Sequence, residues 1–189
     1  VQHNKYGHLT LSNTGIKTMP AMAMEVQGNL TSTGTTAYTA GGILTVGGNL
    51  TIGVGSSFTG ENYTHTIAGN WLNNGTFNPS AGTISFIGGN NTTITGGAVF
   101  NGLTINKNAA TNTVTLANNA TATTLNMTQG ELHTGINKVT ILSDRTGDGW
   151  VLGIVNRQHA FTPGTAYAFN SRLSTIAFTG GTGVTEATM

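Results

Sequence analysis

The 189-residue chain contains no cysteine, only three prolines, and few charged or aromatic residues, each of the last two classes making up 7%. The absence of cysteine excludes a disulfide scaffold and thiolate metal ligands. Seven dispersed basic residues and a formal net charge of +1 argue against a nucleic-acid partner, which would require a basic stripe. No apolar run is long enough to cross a bilayer as a helix, so the sequence predicts no membrane span.

Glycine, threonine and asparagine make up much of what is present, with 28 glycines alone. Threonine is β-branched and suits a pleated surface. Asparagine and glycine tolerate the backbone conformations of tight turns. Because hydrophobic residues still reach 37% and net charge is low, the composition favours a folded all-β protein over a disordered chain.

A short phrase recurs at a fixed spacing. Gly-Asn-Leu-Thr occurs at 28–31 and at 48–51, and Gly-Asn-Trp-Leu follows at 69–72, so the spacings are 20 and 21 residues. A period of this size indicates stacked copies of one unit. We therefore predict a right-handed parallel β-solenoid (β-helix) of about seven coils, on the order of 35 Å long. Leu30 and Leu50 should then lie in adjacent layers.

Short segments that alternate apolar and polar residues lie between glycine- and asparagine-rich turns, which predicts strands. The predicted strands are 9–11, 43–46, 50–52, 64–67, 83–87, 92–95, 103–105, 114–116, 124–127 and 139–142. Strands at intervals of about eight to twelve residues are also typical of a β-sandwich, which is the alternative fold. Segment 144–189 has denser apolar strands, and we predict that it caps the solenoid or begins the next unit. The predicted division is therefore 1–143 and 144–189.

The run 82–141 resembles the repeat region of very large secreted and cell-surface proteins of the Bacteroidetes, Chlorobi and Ignavibacteria. The similarity rests on Gly-Thr-Ile-Ser-Phe at 82–86, Thr-Ile-Thr at 93–95, Phe-Asn-Gly-Leu-Thr-Ile-Asn at 100–106, Val-Thr-Leu at 114–116, Gly-Glu-Leu at 130–132 and Asn-Lys-Val-Thr-Ile at 137–141. The resemblance implies export, surface display and an adhesin-like chain. It supplies no catalytic residue set. Because the chain begins at Val1 without methionine, we expect a mature protein or a fragment.

Residues that could carry chemistry are few and scattered. Asp144 and Asp148 are the only acidic residues close in sequence, and they lie in a glycine turn, where a solvated turn is favoured over a calcium loop. The histidines, at 3, 8, 65, 133 and 159, show no ligand spacing and no nucleophile context. His65 lies in an alternating strand and is expected to face outward. The sequence thus predicts no catalytic, cofactor or metal residues and no cofactor.

Sugar stacking and ice binding are two surface functions that some of the side chains could serve. Trp71 and Trp150 are residues that could stack on sugars, although core or cap packing is favoured for both. Thr93, Thr95, Thr113 and Thr115 resemble the threonine rows of ice-binding surfaces, but adjacent coils do not keep the pattern.

The sequence as a whole predicts a non-enzymatic, extracellular or cell-surface β-solenoid with a structural or adhesive role. Both ends of such a rod should expose unpaired strand edges, which predicts end-to-end self-association into a filament or continuation into adjoining domains of the same polypeptide. Surface glycans are a further possible partner. The alternative function is a carbohydrate-binding or polysaccharide-degrading β-helix, which would need paired carboxylates or exposed aromatic side chains.

Overall fold

The structure of the protein is a computed structural model that describes residues 4–180 and 183–189, and these residues form 23 strands and no helix. The first twelve strands are β1 Lys5–Tyr6, β2 Leu9–Leu11, β3 Thr14–Thr18, β4 Met24–Val26, β5 Leu30–Ser32, β6 Thr35–Thr39, β7 Leu44–Val46, β8 Leu50–Ile52, β9 Ser57–Thr59, β10 Thr64–Ile67, β11 Trp71–Asn73 and β12 Thr76–Asn78. The remaining strands are β13 Thr83–Phe86, β14 Thr92–Thr95, β15 Ala98–Asn106, β16 Thr113–Leu116, β17 Ala120–Gln129, β18 Glu131–Ile141, β19 Arg145–Thr146, β20 Trp150–Gln158, β21 Ala166–Ala168, β22 Thr175–Ala177 and β23 Glu186–Thr188.

The strands stack into a parallel β-solenoid of about eight turns with three faces. Face 1 contains β1, β4, β7, β10, β13, the ends of β15 and β17, and β19. Face 2 contains β2, β5, β8, β11, β14, β16, and the beginnings of β18 and β20. Face 3 begins with β3, β6, β9 and β12, and continues with the other parts of β15, β17, β18 and β20.

The register confirms the repeat that the sequence predicted. Leu30 is the parallel partner of Leu50, Leu9 precedes them in the same column, and Trp71 and Ile94 continue it. Leu30, Leu50, Trp71 and Ile94 are all buried, so one side chain per turn fills this part of the core. Parallel pairing joins all strands of the solenoid, and the alternative β-sandwich is therefore wrong.

An asparagine ladder explains why the repeated phrase contains asparagine. The side-chain Oδ1 of Asn29 accepts a hydrogen bond from the backbone N–H of Asn49 at 2.9 Å, and Oδ1 of Asn49 accepts one from Asn70 at 2.8 Å. Asn70 continues the ladder to the N–H of Thr93, also at 2.8 Å. His8 occupies the ladder position in the first turn, where its Nδ1 accepts from Asn29 at 3.0 Å. The side chains thus satisfy corner N–H groups that the strand ladders do not use.

Face 3 carries a stack of aromatic rings that the strand prediction missed. Tyr38 and Phe58 lie in parallel-paired strands with their rings stacked, 4.8 Å between centroids, and Phe77 follows at 5.5 Å from Phe58. Lys17 stands opposite Tyr38 in the first turn, at the position that the rings occupy in later turns. The four short strands β3, β6, β9 and β12 were not predicted because each contains only one large apolar residue, which is too few to show an apolar–polar alternation.

In the later turns the strands lengthen and bend around the corners of the solenoid. β15 and β17 each contribute to face 3 and then to face 1. β18 and β20 pair along both face 2 and face 3, with an irregularity between His133 and Lys138. The ladder between β18 and β20 joins strands from both sides of residue 143. The division into 1–143 and 144–189 stays a prediction.

Replacing Leu50 by alanine should lower the free energy of unfolding by about 2–5 kcal/mol, because it leaves a cavity in the middle of a buried column. Thr51→Ala is the matched control, since Thr51 points outward on the same strand and should cost within about 0.5 kcal/mol. Chemical denaturation followed by circular dichroism measures both. Equal losses for the two variants would contradict the assigned inward and outward faces.

Asn49→Ala should cost about 1 kcal/mol of stability, because the N–H of Asn70 loses its acceptor. Asn49→Asp keeps an oxygen at the same place and should stay closer to the natural protein near neutral pH. The comparison uses the same denaturation experiment. If the aspartate variant were as unstable as the alanine variant, the ladder role of this side chain would be wrong.

Candidate functional site

The last turn of the solenoid ends its core columns with arginines. Arg145 lies opposite Leu125 on face 1 and is buried. Its guanidinium donates to the carbonyl oxygens of Gly147 and Gly149, and to that of Asn170 at 3.2 Å. Desolvation lowers the pKa of Arg145 to about 10, although the nearby charge of Asp148 opposes the shift. Arg145 therefore stays charged at neutral pH and holds the last turn to the segment that follows.

Arg157 ends the face 3 column in the same way. It lies opposite Ile141 and is buried. Its guanidinium donates to the carbonyl oxygens of Ser143 and Ala168, the latter at 2.8 Å, and stands 5.4 Å from the ring centroid of Tyr167. Burial lowers the pKa of Arg157. Carbonyl oxygens and an aromatic face thus replace the solvent that this cation loses.

His159 has a defined tautomer beside Arg157. Nε2 of His159 lies 3.1 Å from Nε of Arg157, and since a guanidinium only donates, this nitrogen is the acceptor. Nδ1–H then donates to the carbonyl of Ala160 at 2.8 Å. The imidazole also packs at 4.4 Å from the ring of Phe161. His159 accordingly has a structural role in this arrangement, between Arg157 and the carbonyl of Ala160.

The C-terminal segment covers the last turn of the solenoid. Phe169 is fully buried, and the amide Nδ2 of Asn170 donates to the carbonyls of Val151 and Gly153 at 2.9 and 3.0 Å. The backbone of Asn170 also accepts from Val151 at 2.8 Å, while β23 pairs antiparallel with β20. The strand edge that was predicted to be exposed at this end is therefore covered in part by the chain itself, and the end-to-end self-association predicted from it stays a prediction.

A cavity of about 330 Å³ lies at the corner between faces 1 and 2, beside the C-terminal end. It is lined by Ala110, Thr128, Gln129, Gly130, Asp148, Gly149 and Trp150. Trp150 is 49% exposed, so the prediction that it packs in the core or cap is wrong. Trp71, for which the same packing was predicted, is fully buried, and its ring lies 4.8 Å from Phe77.

The predicted calcium candidates have protein partners. Asp148 forms an ion pair with Arg172, and Asp144 lies 3.5 Å from the hydroxyl of Ser143. Within residues 4–180 and 183–189, no three histidine, cysteine, aspartate or glutamate side chains come close enough together to hold a metal ion. Among the remaining carboxylates, Glu131 accepts a hydrogen bond from Nε2 of His133 at 2.7 Å. This pair faces outward on face 2.

His65 is buried, and its predicted outward orientation is wrong. Nδ1 accepts from the backbone N–H of Leu44 at 3.0 Å, and Nε2 lies 2.7 Å from the carbonyl of Gly60, to which it donates. Desolvation lowers the pKa of His65, and the bond to Gly60 opposes the shift. The alternation of β10 already placed His65 on the same side as Ile67, a signal that could have located it. The other candidate histidines at 8 and 133 are exposed or half-buried, and His3 lies outside the described residues.

Lys107 is a buried cation that the sequence reading missed. It is 1% exposed, and its ammonium donates to the carbonyl of Ile87 at 2.6 Å in the turn before, while its backbone N–H donates to Gln129 in the turn after. Burial lowers its pKa. The side chain and the backbone N–H of Lys107 together link three consecutive turns by hydrogen bonds.

The threonines considered for ice binding lie on face 2 and do not align as pairs. Thr93 is in register with Thr115, so the two Thr-x-Thr segments are offset by two residues. Thr10, Thr31 and Thr51 form a single outward column over three turns, which Leu72 ends. The offset agrees with the prediction that neighbouring turns do not keep a regular double row.

Fold and register together define a parallel β-solenoid repeat protein. Comparison of the chain with protein-family models, curated proteins and solved structures gave no match. The resemblance to surface proteins of the Bacteroidetes and related groups therefore stays a prediction. Among the described residues, no helix has the length and apolar character needed to traverse a bilayer.

Stability should fall as pH drops below about 6.5, because His65 takes up a proton in the unfolded chain more readily than in the folded one. Because the pKa of His65 is lowered in the folded chain, its contribution to the free energy of unfolding is complete above the pKa of the unfolded state and is lost as the pH falls below that value. His65→Gln supplies an acceptor and a donor without titrating and should flatten the pH dependence between about pH 6.5 and 5. Thr51→Ala, which removes no titratable side chain, is the control and should keep it. Denaturation midpoints over this range measure the effect, and an unchanged slope in His65→Gln would contradict it.

Proposed function

We propose that the protein is a non-enzymatic structural and adhesive rod displayed outside the cell. The observation that carries the proposal is the continuous parallel ladder of about eight turns, which uses nearly every strand of the chain to build one scaffold. Such stacking makes a surface of regular, fixed spacing, as expected of repeat proteins that present extended faces. The low charge of that surface and the resemblance of 82–141 to surface-protein repeats support the extracellular part of the proposal.

The engagement of the carboxylates supports a non-enzymatic role. Glu25 pairs with Lys5 at 2.8 Å, and Glu186 accepts from Asn156 at 2.5 Å. As described above, Glu131 and Asp148 also have protein partners. A hydrolase would need two carboxylates placed to act on one bond, one of them as a general acid. Three of the six acidic residues, Glu25, Asp148 and Glu186, instead link neighbouring turns or hold the C-terminal segment in place.

The first turn offers an attachment edge, in contrast to the covered C-terminal end. β2 and β3 each pair on one side only among the described residues, with β5 and β6 respectively. Ile16 in β3 is 82% exposed. We propose that this edge receives an adjoining solenoid turn of the same polypeptide. A second copy fits less well, because the C-terminal end of each copy is already covered.

The shape of the purified chain tests the rod. About eight layers at roughly 4.8 Å predict a ladder of about 38 Å, and the small-angle scattering profile should match that expected for these stacked turns together with the C-terminal segment. Sedimentation at rising concentration should show no head-to-tail filament. Ile16→Lys should leave length and stability unchanged, because the side chain is already in solvent. A compact sphere would contradict the rod, and polysaccharide turnover that Glu131→Gln abolishes would contradict the non-enzymatic assignment.

A further inference from the structure

Trp150 departs from the pattern of its face. It begins the eighth turn on face 2, where its partner in the preceding turn is Glu131 and the partner of Glu131 is Thr113. Two preceding turns thus place a polar side chain at this outward position, and the last turn places an indole that is half exposed. An exposed indole is a costly surface residue, because it keeps a large apolar ring in water. A ligand that covers it would recover that cost.

The cavity beside Trp150 supplies polar groups around the ring. Gln129 offers an amide with both donor and acceptor atoms, Thr128 a hydroxyl, and Asp148 a carboxylate. Gly130 and Gly149 line the cavity with backbone atoms. Its volume of about 330 Å³ is at the lower end for small-molecule sites, about 300–1,000 Å³, and suits a single ring.

The local charge favours a neutral ligand. Asp148 is balanced by Arg172, which comes from the C-terminal segment. Arg145 lies behind the cavity with its guanidinium committed to the carbonyls of Gly147 and Gly149. No free cation therefore faces the cavity among its lining residues, and an anionic phosphate or uronate gains nothing there.

We propose that Trp150 and this cavity bind a neutral hexose ring of a glycan. One face of a pyranose carries C–H groups that stack on an indole, and its hydroxyls are matched donors and acceptors for an amide, a hydroxyl and a carboxylate. Trp150 forms the platform, and Gln129 and Asp148 fix the orientation of the ring. The site goes beyond the proposed rod, because its loss would leave the solenoid intact.

A protein partner is the competing occupant. Leu152 and Ile154 follow Trp150 at outward positions of β20 and are 43% and 37% exposed, so an apolar strip also runs along the last turn. The cavity lies on the corner side of Trp150 and includes neither of these two residues. A sugar should therefore depend on Trp150 and the corner residues, whereas a docked protein should depend on the whole strip.

The test is a glycan array followed by titration of the best neutral oligosaccharide into the purified chain. Binding should protect Trp150 from acrylamide quenching, while buried Trp71 stays unquenched throughout. Trp150→Ala should weaken binding by about tenfold or more, Trp150→Phe should keep part of it, and Gln129→Ala should weaken it. Leu152→Ala is the matched control and should leave binding unchanged.

Circular dichroism and thermal midpoints establish that each variant is folded, and scattering establishes that the rod length is kept. A blank array, or sugar binding that survives Trp150→Ala, would overturn the site and leave the rod proposal standing. Equal loss in Trp150→Ala and Leu152→Ala would overturn it in favour of the apolar strip as a docking surface. A compact particle that still binds the sugar through Trp150 would contradict the rod and not the site.

Discussion

In-register stacking of consecutive turns is the constraint on which the rest of this structure depends. Each strand forms backbone hydrogen bonds with the equivalent strands of the turn before and the turn after, so a residue about 20 positions later in the chain lies directly above the earlier one. The placement of Leu50 above Leu30 and of Asn49 above Asn29 follows from this rule. The rule leaves little tolerance at the corners, because a side chain at Gly69 would fall 2.5 Å from Oδ1 of Asn49. Turn length, corner chemistry and core composition are therefore coupled.

A stack of this kind has to end without leaving its core in water. The solenoid solves this at the C-terminal end by placing Arg145 and Arg157 where earlier turns carry aliphatic side chains. Each guanidinium binds carbonyl oxygens of the loops that fold across the end, and Phe169 fills the remaining space. Burial of these cations costs desolvation free energy, which the hydrogen bonds to the loop carbonyls offset. At the other end, Lys17 lies next to Tyr38 of the aromatic stack, and among the described residues β2 and β3 each pair on one side only.

The same frame determines what the surface can do. Because the inward positions are committed to packing, only outward side chains and corners are free to vary, and Trp150 is an outward residue that differs from Thr113 and Glu131 in its column. Its corner cavity is lined by Gly130 and Gly149 of adjacent turns, where an added Cβ would lie 2.8 Å from Lys107 and 2.5 Å from the carbonyl of Gly130, respectively. A rod that keeps its backbone fixed and changes its outward residues turn by turn is suited to display and recognition, and these are the roles proposed for it.

The period of 20 to 21 residues, the alternation and the turn residues were sufficient to predict the fold class, the stacking of Leu30 on Leu50 and the burial of Trp71, because local chemistry sets strand and turn. The spacing of Tyr38, Phe58 and Phe77 also contained a signal for face 3, but the strands that contain these rings are short and were not predicted. Other features required the tertiary structure. The burial of Lys107 depends on contacts between stacked turns in the middle of the solenoid. The burial of Arg145 and Arg157 and the exposure of Trp150 depend on which turn is last and on how the final segment folds back. Composition and spacing are properties of single turns, whereas the ends of a stack and the cavities between turns arise only when the turns are assembled.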